Sequence, residues 1–351
     1  ESTSRTALHC LSPIVSDEIS VTTVFITLQA LSFLTMTINA QNSVLIVCGP
    51  TASGKSALAL DIALAFRGTV INADSMQVYK ELPILTSRPR PTDEAKAPHR
   101  LYGITSIANT FSAGRWQPLA ERAIRVALSE GSLPVVCGGT GLYLKALMQG
   151  LSPMPEIPTE IRARIRQLLS ENGAAQCHRK LAACDPNTAD RLAPSDTQRI
   201  ARALEVFEAT GKPISAWQAM ARNGPDPHWQ FFTILIAPPR AAMNAAIDQR
   251  FDSMIDDGAL DEVKAIAHLE TALPGLKALG VPGLRRHLAG EISLEKAAEH
   301  SKTATRQFAK RQMTWFRNQI ITDKTLYAQY MKSFSEEIFL FIRNNVLTDS
   351  D

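Results

Sequence analysis

The sequence is poor in cysteine: five in 351 residues (Cys10, Cys48, Cys137, Cys177, Cys184), none in a CxxC pair. That scatter excludes a structural zinc site and a disulfide framework, and it fits a reducing, cytoplasmic compartment. An excess of charge of one sign is also missing, since 37 Lys plus Arg face 34 Asp plus Glu. Any nucleic-acid surface must therefore be local. No internal repeat and no low-complexity tract occur, which excludes a solenoid or a disordered scaffold. One uncharged run exists, Ile19 to Gln41, apolar only from Val21 to Leu34. Ser, Thr and Gln interrupt it, Asp17 and Glu18 precede it where a signal peptide carries Lys or Arg, and Arg5 is too little for a transit peptide. No membrane association is expected. Residues 1–42 read as an extension outside the fold, with Met36 as the natural start.

What is present is a composition of 45% apolar and 20% charged residues, that of a globular protein. The length suggests about two domains. "GPTASGKS" (Gly49, Pro50, Thr51, Ala52, Ser53, Gly54, Lys55, Ser56) fits GxxxxGK[ST], a loop whose backbone N–H groups and lysine surround a diphosphate. Its setting matches: "VLIVC" before it reads as a buried strand, and "ALALDIALAF" after it as a buried helix. Thr69–Asn72 and Leu133–Cys137 read as further strands, the latter reached through a helix over Leu119–Ser129. This alternation predicts an α/β fold, a P-loop NTPase-like parallel sheet flanked by helices.

Pro153, Pro155 and Pro158 then stop regular structure, and from Thr159 to about Met220 the pattern is helical, with Gly173 and Gly211 as C-caps. After "NGPDP" (223–227), Phe231–Ala237 returns to strand character, with helices following to about Asn318. The expected layout is a P-loop core over 43–150, a helical insertion domain over 151–224, completion of the core over 225–322 with a basic C-terminal helix, and a tail over 323–351.

Three polar signals follow the first three strands: the loop 49–56, "ADSMQVY" at 73–79 and "GGTGLY" at 138–143. Carboxyl ends of parallel strands line the ligand crevice, so Lys55, Asp74 and Thr140 should converge there. Asp74 has two readings, a turn or cap aspartate and a proton acceptor at the end of a bound diphosphate. Thr140 likewise reads as a turn residue or as a hydrogen-bonding partner of the reacting group, its double glycine admitting backbone to a ligand. Ser56 is the usual position of a Mg²⁺ ligand. An ATP-consuming P-loop enzyme would show a hydrophobic strand ending in an acid; "PVVCGG" ends in glycine. The diphosphate held here therefore reads as part of a substrate.

In "QRIARALEVF" the spacing of Ile200, Ala203, Leu204 and Phe207 predicts a buried face, with Gln198, Arg199 and Arg202 outward. In "TATRQFAKRQMTWFRN" four basic side chains occur with no acid, and Arg306, Lys310 and Arg317 share one helical stripe. Each segment is either a solvated face or a phosphate-binding one.

Taken in order, "GPTASGKS", "DSMQVY", "GGTGLY", "QRIARALEVFEATGKP", "IDQRFDSMIDDGALDEV" and "TRQFAKRQMTWFR" strongly resemble the tRNA dimethylallyltransferases, over residues 44–318. The resemblance implies transfer of a dimethylallyl group from dimethylallyl diphosphate to N6 of the adenosine 3′ of the anticodon, with Mg²⁺ as cofactor. It implies Asp74 as the base, Thr140 at the reacting centre and Arg250 beside the donor diphosphate. It implies tRNA contacts by Asp74, Ser75, Met76, Gln77, Thr140, Arg162, Gln198, Arg199, Ile200, Ala201 and Arg202, and a monomeric bacterial-type enzyme that grips the anticodon stem-loop. Two departures stand out: Glu81 and Leu85 occupy positions where many members carry glycine, and "LGVPGLRRHL" replaces a frequent Gly-Tyr pair. A P-loop small-molecule or nucleotide kinase and a non-catalytic RNA-binding module remain as alternatives.

Overall fold

The computed structural model describes residues 42–269 and 273–347. The reading of residues 1–41 as an extension lies outside the described residues. Six strands form one sheet: β1 (Ser43–Cys48), β2 (Gly68–Asn72), β3 (His99–Arg100), β4 (Leu133–Gly138), β5 (Gln230–Ile236) and β6 (Lys324–Leu326), in the order β3-β2-β4-β1-β5-β6. Every pairing is parallel. The continuous apolar run of β1 follows from its place: it is the third strand from one end of the order, with β4 and β5 on its two sides, and all six residues are buried. Because β2, β4 and β1 are neighbours, the loops that leave their carboxyl ends stand side by side.

The covering helices are α1 (Lys55–Ala65), α2 (Ala113–Ser129) and α3 (Gly141–Gln149) from the first part of the chain. The insertion supplies α4 (Thr159–Cys184) and α5 (Thr197–Thr210). Returning to the core are α6 (Arg240–Asp256), α7 (Ala259–Ala265), α8 (Val281–Leu288), α9 (Leu294–Gln319) and α10 (Ser335–Asn345). Helix α2 begins six residues earlier than the pattern suggested, because Ser112 caps it by accepting the Arg115 N–H at 3.3 Å and Pro118 is accommodated within it. Among the described residues no helix is long and apolar enough to cross a membrane. Cys48, Cys137, Cys177 and Cys184 are free thiols.

Residues 323–351, expected to be a tail, are corrected in part. Strand β6 closes the sheet beside β5, and Asp323 locks it by accepting the Thr233 N–H at 2.7 Å. Helix α10 buries Ile338 and Ile342 completely, and Phe339 meets Phe66 edge to face at 5.2 Å. At roughly 1.5–3 kcal/mol per fully buried aliphatic side chain, this segment is part of the core. The sequence signal was weak because β6 is only three residues long.

The insertion has its own core of Ile157, Ile165, Cys177, Leu181, Ile200, Leu204 and Ile214 among others. Helix α4 breaks at Gly173, whose φ 73° and ψ 165° are open to glycine alone and differ from the αL conformation of a C-cap, and then resumes. Phe207, expected in the buried face of α5, is only half-buried, and Val206 takes that place. At the far end of the α4 resumption, Asp185 is buried and accepts Thr188 N–H (3.0 Å), Thr188 Oγ1 (2.9 Å) and Ser215 N–H (2.9 Å). Burial pushes its carboxyl up, but these hydrogen bonds from Ser215 and Thr188 outweigh it and hold the group below the ordinary aspartate range.

A folded-state pKa that is depressed contributes stability above the unfolded pKa, and this stability is lost as pH falls through the folded value. Asp185→Ala should therefore cost about 2 kcal/mol at neutral pH in chemical denaturation, since it strands three donors. The difference from the parent should shrink below about pH 4.

Candidate active site

The phosphate loop is bent by two residues in the left-handed region, Ala52 (φ 62°) and Gly54 (φ 91°). Gly54 is required: a Cβ there would lie 2.9 Å from that of Tyr330, whose N–H donates to the Ser53 carbonyl at 3.0 Å. The Tyr330 hydroxyl reaches Asp61 on α1 at 2.8 Å, so the loop is strapped to its own helix from outside. The first N–H groups of α1 have no intrahelical partners and face the loop's concavity, the arrangement that favours an anion. Ser53 Oγ is buried without a hydrogen-bond partner. This orphaned hydroxyl and the free amides fit a bound diphosphate.

Lys55 opens α1, and its Nζ donates to the Pro50 carbonyl at 3.3 Å. Burial lowers its pKa, Asp74 pulls it back up, and Arg250 lowers it further. Arg250, on α6, is likewise lowered by burial and raised by Asp74. Two cations and one carboxylate thus share this crevice. Cys137, at the end of β4, has its thiol pushed up to about 11 by burial, with Lys55 opposing, Asp74 reinforcing and a hydrogen bond from Ser56 opposing. It is a neutral thiol at physiological pH.

Asp74 sits in a turn built by Asn72. The fully buried Asn72 accepts the Asp74 N–H at 2.8 Å and donates to the carbonyls of Asp74 (3.0 Å) and Leu101 (3.1 Å). Below it, Trp116 donates to the Asn72 carbonyl at 2.8 Å and stacks on Tyr143 at 4.6 Å. Asp74 Oδ1 accepts the Met76 N–H at 2.9 Å, one of roughly four acceptor positions on a carboxylate. The turn role and a free acceptor coexist. Thr140 Oγ1 accepts the Ser75 N–H (2.9 Å) and donates to Ser75 Oγ (3.2 Å), which joins the Asp74 and Thr140 loops.

The double glycine before Thr140 serves neighbours inside the protein. A Cβ on Gly138 would stand 2.2 Å from the Ala73 backbone, and one on Gly139 2.3 Å from Gln312 Nε2. Gln312, on α9, accepts the Thr51 N–H at 2.9 Å and donates to the Gly139 carbonyl at 2.8 Å. Three residues later, Trp315 lays its indole against Gly141. Sequence reasoning missed Asn72, Gln312 and Tyr330. The first two stand in or beside quoted motifs, but nothing in the spacing says that they turn inward.

The expected RNA-facing residues lie in varied settings. Gln198 and Arg199 are exposed, and Ala201 and Arg202 are half-buried. Arg199 pairs with Asp196, and Arg202 with Glu205 at 3.4 Å. Ile200 is wholly buried in the core of the insertion, so it cannot meet RNA with its side chain; the amphipathic spacing of α5 turns it inward. Arg162 is half-buried, with its Nε unpartnered. Gln77 uses its amide hydrogens on the carbonyls of Thr86 (2.8 Å) and Ser87 (3.0 Å), a loop-holding role. On α9, Lys310 and Arg317 are exposed, whereas Arg306 is committed to Asp248 (2.5 Å) and Glu299 (2.6 Å). The basic stripe is therefore shorter than its sequence suggested. Glu81 and Leu85, the departures from the family pattern, are both used: Glu81 accepts Ser106 Oγ and Ile107 N–H, and Leu85 packs closely on Gly280.

For a divalent ion, the exposed Ser56 hydroxyl is the hard donor at the loop. Among the described residues no cluster of three His, Cys, Asp or Glu could hold a metal.

The family model for "IPP transferase" matches residues 77–319. The chain belongs to this family. Curated tRNA dimethylallyltransferases from Parvibaculum lavamentivorans (48% identical; 87% of this chain, 97% of the relative) and Rhodospirillum centenum (50%; 80% and 90%) are similar along most of their length. Among solved structures, the tRNA isopentenylpyrophosphate transferase of Bacillus halodurans aligns with a TM-score of 0.63 at 29% identity, over 87% of this chain and 97% of that one. A eukaryotic dimethylallyltransferase acting on tRNA aligns at 0.71 and 26%, over 88% and 81%. The matched family segment begins at Gln77, so the phosphate loop and Asp74 lie just outside it.

Replacing Asn72 with alanine should leave the Asp74 N–H and two carbonyls without partners. We expect about 2–3 kcal/mol less stability by denaturant titration. Asn72→Asp, which keeps the acceptor but turns a buried carboxylate onto the two carbonyls, should recover none of it at neutral pH.

Proposed function

We propose that this IPP transferase is a tRNA dimethylallyltransferase: it moves a dimethylallyl group from its diphosphate to N6 of the adenosine 3′-adjacent to the anticodon, and acts as a cytoplasmic monomer. The observation that carries the reading is the meeting of Lys55, Arg250 and Asp74 beside a loop with free amides, in a chain of this family. An exocyclic adenine amine is a weak nucleophile because its lone pair is delocalised, so a positioned base is valuable. Asp74 takes the N6 proton as the new C–N bond forms at C1 of the donor and the C1–O bond breaks. The electron pair leaves with diphosphate, whose growing charge Lys55, Arg250 and the loop amides stabilise. Ser56 would hold magnesium, which when bound supplies further charge neutralisation at the leaving group. Thr140 and Ser75 hold the Asp74 loop against the crevice. The acceptor base must leave its stack to enter, and Gln198, Arg199 and Arg202 on α5 hold the RNA backbone outside.

Incubation with Mg²⁺, labelled dimethylallyl diphosphate and unmodified tRNA tests this, with ATP-only and AMP-acceptor arms. Label should enter tRNA alone; ATP consumption or labelled AMP would replace the reading with a kinase or a free-nucleotide prenyltransferase. Asp74→Ala should lower kcat by about 10²-fold or more while tRNA binding holds. Arg199→Glu should weaken tRNA binding and lower the salt slope by about one.

A further inference from the structure

Gln312 has no part in the chemistry above, yet it is a buried polar side chain at the centre of the site, 6% exposed. Its Oε1 takes the Thr51 N–H from the phosphate loop, and its Nε2 gives to the Gly139 carbonyl. One amide thus ties the loop after β1 to the loop after β4. Each contact is made one residue from a sensitive point: Ala52, held at φ 62°, on one side and Thr140 on the other. The Thr51 N–H is turned into the protein by this bond. At the other end, glycine at 139 leaves the space that the Gln312 amide occupies. A buried amide with both ends satisfied is a rigid spacer; with one end lost it leaves an unpaired backbone group.

We propose that Gln312 is a positioning residue for the transfer reaction: it sets the separation between the loop that holds the donor diphosphate and the Thr140 loop that holds the acceptor side. This rests on the reading of the crevice as the donor site. Small displacements of reacting groups are costly, since a 1 Å misplacement can lower rates by about 10². The remaining contacts of α9 on these loops, Ala309 beside Ala52 and Trp315 on Gly141, keep the helix seated when the amide is changed.

The test compares Gln312→Leu, Gly139→Ala and the double variant with the parent, varying dimethylallyl diphosphate and tRNA separately. Transfer by the parent decides the underlying reading independently of the variants. We expect each single variant to lower kcat about tenfold or more and to raise the donor KM, with the tRNA KM within about twofold of the parent. The double variant should be no worse than the poorer single one, because Gln312→Leu already removes the contact that the added methyl of Gly139→Ala disturbs. The proposal is overturned by a single variant whose donor kinetics stay within about twofold of the parent. It is equally overturned if the two effects multiply in the double variant, or if lost activity follows only the folded fraction measured by circular dichroism. Should Gln312→Leu not fold, Gly139→Ala, which adds one methyl group against the same amide, decides by the same kinetic criteria.

Discussion

A loop of backbone amides holds an anion only while its curvature is maintained, and here that curvature includes Ala52 at φ 62°, a conformation that costs a non-glycine residue about 1 kcal/mol or more. The loop does not maintain it alone. The residue before Ala52 gives its N–H to Gln312, and the residue after it receives the Tyr330 N–H on its carbonyl. Both braces come from the last fifth of the described chain, more than 250 residues away in sequence. Ala52 itself rests on Met243, Ile247 and Ala309. The phosphate loop is thus completed by the segments that close the fold, which is why β6 and the strap after it belong to the core.

The same economy of space governs the neighbouring loops. Ala73 donates its N–H to the Cys137 carbonyl and accepts the Thr140 N–H on its own carbonyl, and Gly138 approaches so closely that no side chain fits between them. The ends of β2 and β4 are therefore fused by main-chain contact, and Thr140 and Ser75 extend the junction by side chains. Asp74 is presented from a platform fixed on two sides and floored by Asn72 and Trp116. Its charge is shared by Lys55 and Arg250, which arrive from different helices.

The parallel sheet, the place of the insertion and the three strand-end loops were legible because each is written in local pattern: apolar runs, proline clusters and glycine-rich turns. The break of α4 at Gly173 was legible for the same reason, though not its resumption to Cys184. What escaped was whatever depends on distant partners. β3 and β6, with two and three residues, are too short to carry periodicity, and β6 exists because β5 offers an edge. Gly138 and Gly139 were legible as glycines needing close approach, but not by what. Ile200 shows how a motif can mislead: the run 198–202 was taken whole, although helical spacing turns its middle residue into the core. Arg306 misled in another way, since one partner, Glu299, lies two turns earlier on the same helix and outside the quoted stretch, and the other, Asp248, comes from α6.

Helix α9 carries the last step of this logic. Its buried positions Thr305, Ala309, Gln312, Met313 and Phe316 recur every three or four residues, as one inward stripe must. That stripe contains two unlike functions, apolar packing and the Gln312 amide, whereas Lys310, Arg311 and Arg317 stand on the exposed face. A helix that bears on the phosphate loop and the Thr140 loop from within and presents cations from without cannot shift one set without the other. Sequence change along it is therefore constrained on both faces: within the inward stripe Ser301 and Thr305 turn their hydroxyls back onto the helix's own carbonyls, whereas Gln312 spends its amide on the two loops.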